Sequence, residues 1–340
     1  MPIFFPFADY WWFYACFTVF VLAMLFIDLK VLHKKPHIIS IRESMAWTGV
    51  CISMALIFNV LFYYYCLNKF NTDPAILAIP GFDAAATAKQ LALEFLAGFV
   101  IEQALAIDNI FVFVVIFGYF GIKPIHQHRI LFYGIMGALI FRAGFIAVGA
   151  ALMQYSWVVI AAGAFLIITG VKVLFAPEKE PDPGSNPVFK LVQKVIPTTP
   201  KTDGSALFIR ENGKLLATPL FVALLFIEAS DIIFAIDSVP AIFALTKEPL
   251  IVYTSNIFAV LGLRSLFFVL AGIVHKFKYL KYGLGFILIF VGLKMTWLNK
   301  VYDGHFPITW SLGIIGLILG ASVVASMMAD TEDPKDNSNS

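Results

Sequence analysis

Charge is scarce in this 340-residue chain: Asp, Glu, Lys and Arg make up 14% of it, while 60% is hydrophobic and mean hydropathy is +0.86. A soluble domain carries nearer a quarter charged residues, so this composition excludes elements that each keep one face in water. The net charge of +2 gives no sign of a nucleic-acid partner. Cysteine is also sparse. Cys16, Cys51 and Cys66 form no CxxC pair, lie in or at the edge of apolar runs, and read as small buried hydrophobes. The N-terminal MPIFFPFADYWWFY has no basic leader, which excludes a standard signal peptide and an Arg-rich transit peptide.

What the chain does have is a succession of apolar runs, each about twenty residues long and able to cross a hydrocarbon core of about 30 Å. Nine spans are expected, near 9–30, 44–66, 91–119, 129–151, 156–175, 218–245, 250–273, 282–298 and 307–328. The fold class is therefore all-α, a polytopic transmembrane bundle forming a single membrane domain over residues 1–329. The lipid bilayer is its first partner. Two longer connections are expected, 68–90 and the Pro-rich polar segment 176–217, where Asn212-Gly213 between apolar residues predicts a hairpin turn. Residues 330–340, DTEDPKDNSNS, have the composition of a disordered tail. Basic residues favour one set of alternate loops: Lys30, Lys34, Lys35, Arg42, Lys123, Arg129, Lys276, Lys278, Lys281 and the seven from Lys172 to Lys214. That set is expected in the cytoplasm, with the N-terminus outside and the C-terminus inside.

The scarce charges are not scattered. FIEASDIIFAIDS holds Glu228, Asp231 and Asp237 inside an apolar run, and IEQALAIDNI holds Glu102 and Asp108 inside another. When the two stretches are superposed, Glu102 meets Asp231, Asp108 meets Asp237 and Asn109 meets Ser238. Further on, Arg142 matches Arg264 and Gly170-Val171-Lys172 matches Gly292-Leu293-Lys294. The unit is three spans, about 91–175 and 218–298. Three is odd, so the copies enter the membrane from opposite sides, an inverted repeat of the kind that places transporter sites near the midplane.

Each intramembrane acid costs about 3 kcal/mol, and the five together on the order of 15 kcal/mol. Arg142 and Arg264 can neutralise two of them and are expected as charge-pairing, structural groups that anchor Asp108 and Asp237. Glu102 and Asn109 are seven apart and share a helix face, as do Asp231 and Ser238, whereas Asp108 and Asp237 point away. Either those second acids face the arginines, or the helices break there, as Pro240 would favour. Carboxylate, amide and hydroxyl oxygens with no nearby His or Cys suit Mg²⁺, Ca²⁺ or Mn²⁺. The candidate metal ligands are Glu102, Asp108, Asn109, Glu228, Asp231 and Asp237, with Ser238, Glu94 and Asn59 secondary. Asn59 also reads as a helix–helix hydrogen-bonding group, Glu94 as a partly hydrated acid at an outer mouth, and Lys172 and Lys294 as snorkelling residues. An ion-pair lattice that only fixes helix packing is the structural alternative. An intramembrane aspartyl protease would need a GxGD motif, which is absent, so no enzyme is expected.

The runs EQALAIDNIFVF, RENGKLLATPLF, EASDIIFAIDSVPAIFA and VYTSNIFAVLGLR, with FIDLKVLHKK and KYLKYGLGFILIFVGLKM, resemble the TerC family of bacterial membrane proteins over roughly 20–328. The resemblance implies a nine-span inner-membrane protein and export of Mn²⁺, with some members linked to tellurite resistance or an alkaline-pH response. Its acidic motifs fall on Glu102, Asp108 and Asn109 and on Glu228, Asp231 and Asp237. Gln103 stands where Lys or Trp is common, and Ser230 where Thr is common. The expected function is divalent-cation export, with coupling to protons inferred from the acids alone; the alternative is a scaffold or metal-loading factor without net transport.

Overall fold

In lipid the backbone has no hydrogen-bond partner but itself, so long apolar segments become helices. The computed structural model describes residues 3–27, 40–175, 196–199, 204, 206–211, 213–271, 279–302 and 306–331. Among them nine helices are long and apolar enough to cross a membrane. They are α1 (Phe7–Ile27), α2 (Ile41–Thr72), α4 (Ala84–Tyr119), α5 (Pro124–Leu152), α6 (Ser156–Phe175), α7 (Pro219–Phe243), α8 (Pro249–Leu270), α9 (Leu280–Leu293) and α10 (Ile308–Thr331). A short α3 (Pro74–Leu77) follows α2, and α9 runs on through a π-helical turn (Lys294–Leu298) to Val301. All nine expected spans are present.

The connection expected at 68–90 is mostly helix. Asp73 and Asp83 cap α3 and α4 by accepting from the Ala75 and Ala86 amides at 3.0 and 2.9 Å, which carries helix into polar sequence that hydropathy alone leaves as loop. At 36 residues α4 is about 54 Å long and outreaches the hydrocarbon core. The expected hairpin is present: β1 (Phe208–Glu211) pairs antiparallel with β2 (Lys214–Ala217), and Gly213 sits at φ +77° in its turn. The expected tail lies outside the described residues from 332 onward, as do Lys30, Lys34, Lys35, Lys276 and Lys278 of the orientation argument.

The centre of the bundle is α8. Every residue from Leu250 to Ser265 is buried, and the helix is apolar nearly all round, as a helix enclosed by others must be. It packs against α4, α2, α5 and α1, while α5 also packs against α7 and α6 against α9. The α6–α9 contact is made by glycines. A Cβ on Gly170 would lie 2.6 Å from the Gly285 carbonyl, and one on Gly163 would lie 3.0 Å from that of Gly292. The pairs 163/292 and 170/285 run in opposite senses, so the helices are antiparallel. Without side chains in the way the backbones approach closely, as van der Waals packing in lipid requires. The outer helices turn large apolar residues outward, among them Val19, Ile168, Leu317 and Val324. Five of the six tryptophans (Trp11, Trp12, Trp157, Trp297 and Trp310) are exposed at helix ends on the N-terminal side of the bundle, where an interfacial aromatic belt belongs.

Ahead of α1, the chain is strapped across that end. Glu248, the N-cap of α8, accepts from the Phe4 and Phe5 amides at 2.6 and 3.2 Å, and Lys69 donates to the Phe4 carbonyl at 2.8 Å and to the Tyr10 hydroxyl. Phe5 is wholly buried against Phe62 and Phe70. Burial pushes the Glu248 carboxyl up to about 7; the two amides and Lys69 oppose this, and Glu94 reinforces it.

Two outcomes are expected. Gly170→Leu should cost about 1–3 kcal/mol of stability through overpacking. Gly144→Leu, whose Cβ would meet nothing within 4 Å, should cost almost none; unfolding midpoints in detergent compare the two. The raised Glu248 carboxyl favours the folded protein most at low pH. Its stabilising contribution should be complete below the ordinary glutamate range and lost as pH rises through about 7. The Glu248→Gln variant should lack that part of the pH dependence, and an unchanged profile would refute the assignment.

Candidate functional site

Arg142, on α5, is among the largest wholly buried side chains in the protein. A guanidinium there must be matched by acceptors, and three helices supply them. Nε and Nη2 donate to the two carboxylate oxygens of Asp231 on α7, at 3.2 and 2.9 Å, in a bidentate fork. Nη1 donates to Glu102 Oε1 on α4 and to Asn256 Oδ1 on α8, the latter at 3.1 Å. The leading acids of the two motifs therefore converge on one cation. This differs from the pairing expected of Arg142, which was with Asp108. Glu102 and Asp231 lie on the faces that α4 and α7 turn into the bundle, and Arg142 enters between them.

The other residues of the motifs follow helical periodicity. Asn109 and Ser238, seven residues beyond Glu102 and Asp231, are buried with them. Asp108 and Asp237 are half-buried and lie off that face. Asp237 sits beside Thr169 and Lys172 of α6, not with Arg264 as expected. Neither helix is broken at its acids: α4 is continuous from Ala84 to Tyr119, and α7 runs through Pro240 to Phe243. Arg264 lines a cavity of about 10 Å³ with Asp231, Phe113 and Leu131. Glu228, one turn before Asp231, lies directly against Gly137 of α5, in space that any side chain at 137 would fill. Asn59 is on the α2 stripe with Ala55 and Phe62.

Several buried oxygens here lack a hydrogen-bond partner: Glu102 Oε2, Gln103 Oε1, Asn109 Oδ1, Glu228 Oε2 and Ser238 Oγ. Orphaned buried acceptors are costly and uncommon. Among the described residues no three Asp, Glu, His or Cys side chains come together closely enough to hold one metal ion; the guanidinium fills the place between Glu102 and Asp231. Sequence reasoning missed Asn256. Its signal was TSN inside an apolar span. Thr254 and Ser255 turn their hydroxyls back onto the Leu250 and Ile251 carbonyls, which leaves Asn256 free to reach sideways.

Toward the N-terminal side lies a cavity of about 1010 Å³, lined by Ala143 and Ile146 of α5, Glu94, Glu248, Tyr14 and Lys294 among others. Ala143 and Ile146 follow Arg142 along α5 by one and four residues, so the cavity reaches the turn next to the arginine. Glu94 accepts from Gln90 at 2.8 Å and faces Thr246 and Lys294 at the wall of this cavity. Lys294 does not snorkel. It is buried at the start of the π-helical turn of α9, beside Glu94. Lys172 is exposed, as expected.

Among the described residues, nine helices long and apolar enough to cross a membrane, with an acid–arginine centre buried among them, define a multi-pass integral membrane protein. The family described as "Integral membrane protein TerC family" matches residues 87–333, and the chain belongs to it. It is 45% identical over 322 residues to the uncharacterized membrane protein STKORF319 of Myxococcus xanthus, covering 94% of this chain and 93% of that one. It is 40% identical over 305 residues to the putative membrane-bound redox modulator Alx of Escherichia coli (strain K12), covering 89% and 90% of the two chains. An uncharacterized membrane protein of Rickettsia bellii is 37% identical over 318 residues, 93% of this chain and 98% of that one. No solved structure matches.

Glu102→Gln weakens a buried, charge-assisted hydrogen bond to the Arg142 guanidinium and should cost about 1.5–3 kcal/mol. Asp237→Asn acts at a half-buried, flanking acid beside Thr169 and exposed Lys172 and should cost under about 1 kcal/mol. Thermal unfolding of the two purified variants reads the difference, and equal losses would deny Arg142 its central place.

Proposed function

We propose that this protein is a transporter, not an enzyme, and that it exports a divalent metal cation, Mn²⁺, from the cytoplasm across the bacterial inner membrane. The observation that carries the reading is the convergence of Glu102 and Asp231, from the two halves of the expected repeat, on one buried cationic group. Around it stand carboxylate, amide and hydroxyl oxygens that have no donor of their own, a donor set suited to a hard cation. Mg²⁺ and Ca²⁺ share that preference; the association of the TerC family with Mn²⁺ selects among them. The packing of α4 on α8, α5 on α7 and α6 antiparallel on α9 supports the inverted repeat, since exchanging the halves maps the first two contacts onto each other and the third onto itself.

In this reading the positive-inside bias places the N-terminus, the tryptophan-rich end and the large cavity outside. The cavity is then the release path, and protonation of the acids from that side promotes release. Asn109 and Ser238 complete the ligand set, with Glu228 next to it; Asp108 and Asp237 line its flanks. The redox role in the name of the Alx relatives has no disulfide here to carry it: Cys51 and Cys66, buried on one helix about 22 Å apart, and Cys16, which is exposed and not buried as expected, are all free thiols.

The test is Mn²⁺ flux in proteoliposomes. The native protein should transport Mn²⁺, Asp231→Asn should abolish flux, and Mg²⁺ and Ca²⁺ as competitors should rank the cargo. Binding of Mn²⁺ without flux would instead indicate a membrane scaffold or metal-loading factor.

A further inference from the structure

We propose that Arg142 is a tethered cation that takes the cargo's place between Glu102 and Asp231, so that the carrier can reorient without cargo. The inference rests on the transport reading and adds a mechanism to it. Its basis is a conflict of occupancy. The guanidinium engages both oxygens of Asp231, Oε1 of Glu102 and Oδ1 of Asn256, and it is wholly buried. A metal ion that drew Glu102 and Asp231 together as ligands would need the same oxygens and the same space. The two cations therefore exclude one another, and each is a competitor of the other.

Electrostatics gives the exclusion a purpose. Two bare carboxylates in a low-dielectric centre repel each other and each costs several kcal/mol. A carrier that had to reorient with them bare would stall, and cargo-for-cargo exchange would be the easier cycle. With Arg142 in place half of that charge is compensated without cargo. The empty return step then becomes accessible, and exchange becomes net export.

A displaced guanidinium needs somewhere to go, and Glu228 provides it. Glu228 lies one helical turn before Asp231 and directly against Gly137, five residues before Arg142 on α5. Its Oε2 is buried with no hydrogen-bond partner. It is thus a second carboxylate on the same face of α7, already facing α5 and not yet engaged. Gly137 matters for the same reason, because a side chain there would occupy the space of the Glu228 carboxyl group. The movement is a side-chain transfer between two acids of one helix, driven by the higher charge of the arriving ion.

The experiment measures Mn²⁺ affinity by electron paramagnetic resonance on the purified full-length protein, together with net efflux and Mn²⁺/Mn²⁺ exchange in proteoliposomes. Removing an internal competitor raises apparent affinity. Arg142→Gln should bind Mn²⁺ about tenfold or more tighter than native, keep exchange and lose net efflux. Its melting temperature should also rise more on adding Mn²⁺ than that of the native protein. Arg142→Lys, which keeps the charge but cannot form the bidentate fork, should be a weaker competitor and bind a few-fold tighter. It keeps the test decisive if Arg142→Gln does not fold. Glu228→Gln should weaken Mn²⁺ binding in the native background and much less in the Arg142→Lys background.

Native flux and binding with unchanged or weaker affinity in both arginine variants would overturn the tethered cation and leave the transport reading standing. Absence of Mn²⁺ binding and flux in every variant would overturn both.

Discussion

The bundle depends on a single buried guanidinium. Arg142 is held by acceptors from α4, α7 and α8 while its own backbone belongs to α5, so one side chain fixes four helices relative to one another. Apolar contacts cannot do this in a membrane, because lipid competes on equal terms for every leucine and phenylalanine. A buried charge is different, because leaving it unpaired is strongly destabilising. It tolerates few arrangements, and the helices around it take the one that satisfies it. The central position of α8 follows, since Asn256 completes the set and the rest of that helix is free to be apolar on every face.

Around this polar centre the protein is simple. Glycines let α6 and α9 close on each other, an aromatic cluster of Phe17, Phe58, Phe95 and Phe258 fills the space between α1, α2, α4 and α8, and large apolar side chains face outward. The exceptions concentrate at the N-terminal end: a strap held by Glu248 and Lys69, a buried Glu94 near Lys294, a π-helical turn and a large cavity. Irregular backbone and buried charge at membrane depth persist where they line a cavity and not where they face lipid. The large cavity lies in this half, whereas toward the other end Phe113, Phe117 and Phe267 pack in one apolar cluster.

Much of the architecture was legible beforehand. Nine spans follow from hydropathy because the bilayer is a uniform solvent and its thickness sets helix length. The hairpin follows from Asn-Gly. The shared faces of Glu102 with Asn109 and of Asp231 with Ser238 follow from helical periodicity, which a continuous helix obeys. Helix was underestimated at 68–90 because capping by Asp73 and Asp83 is a local side-chain effect that an average over residues cannot register. The partners of the arginines were misassigned because spacing along one helix says nothing about what a neighbouring helix brings opposite.

That contrast separates the two sources of information. The sequence by itself determined a polytopic helical membrane protein, the family it belongs to, the two acidic motifs and which of their residues share a face. All of these depend on one solvent and on contacts a few residues apart. Only the tertiary structure decided that Arg142 sits between Glu102 and Asp231, that Asn256 joins them, that Asp237 turns to Lys172, and that Glu94 and Lys294 meet in a cavity. Each of these pairings links helices distant in the chain, and the match between buried charges is settled only when the whole bundle closes.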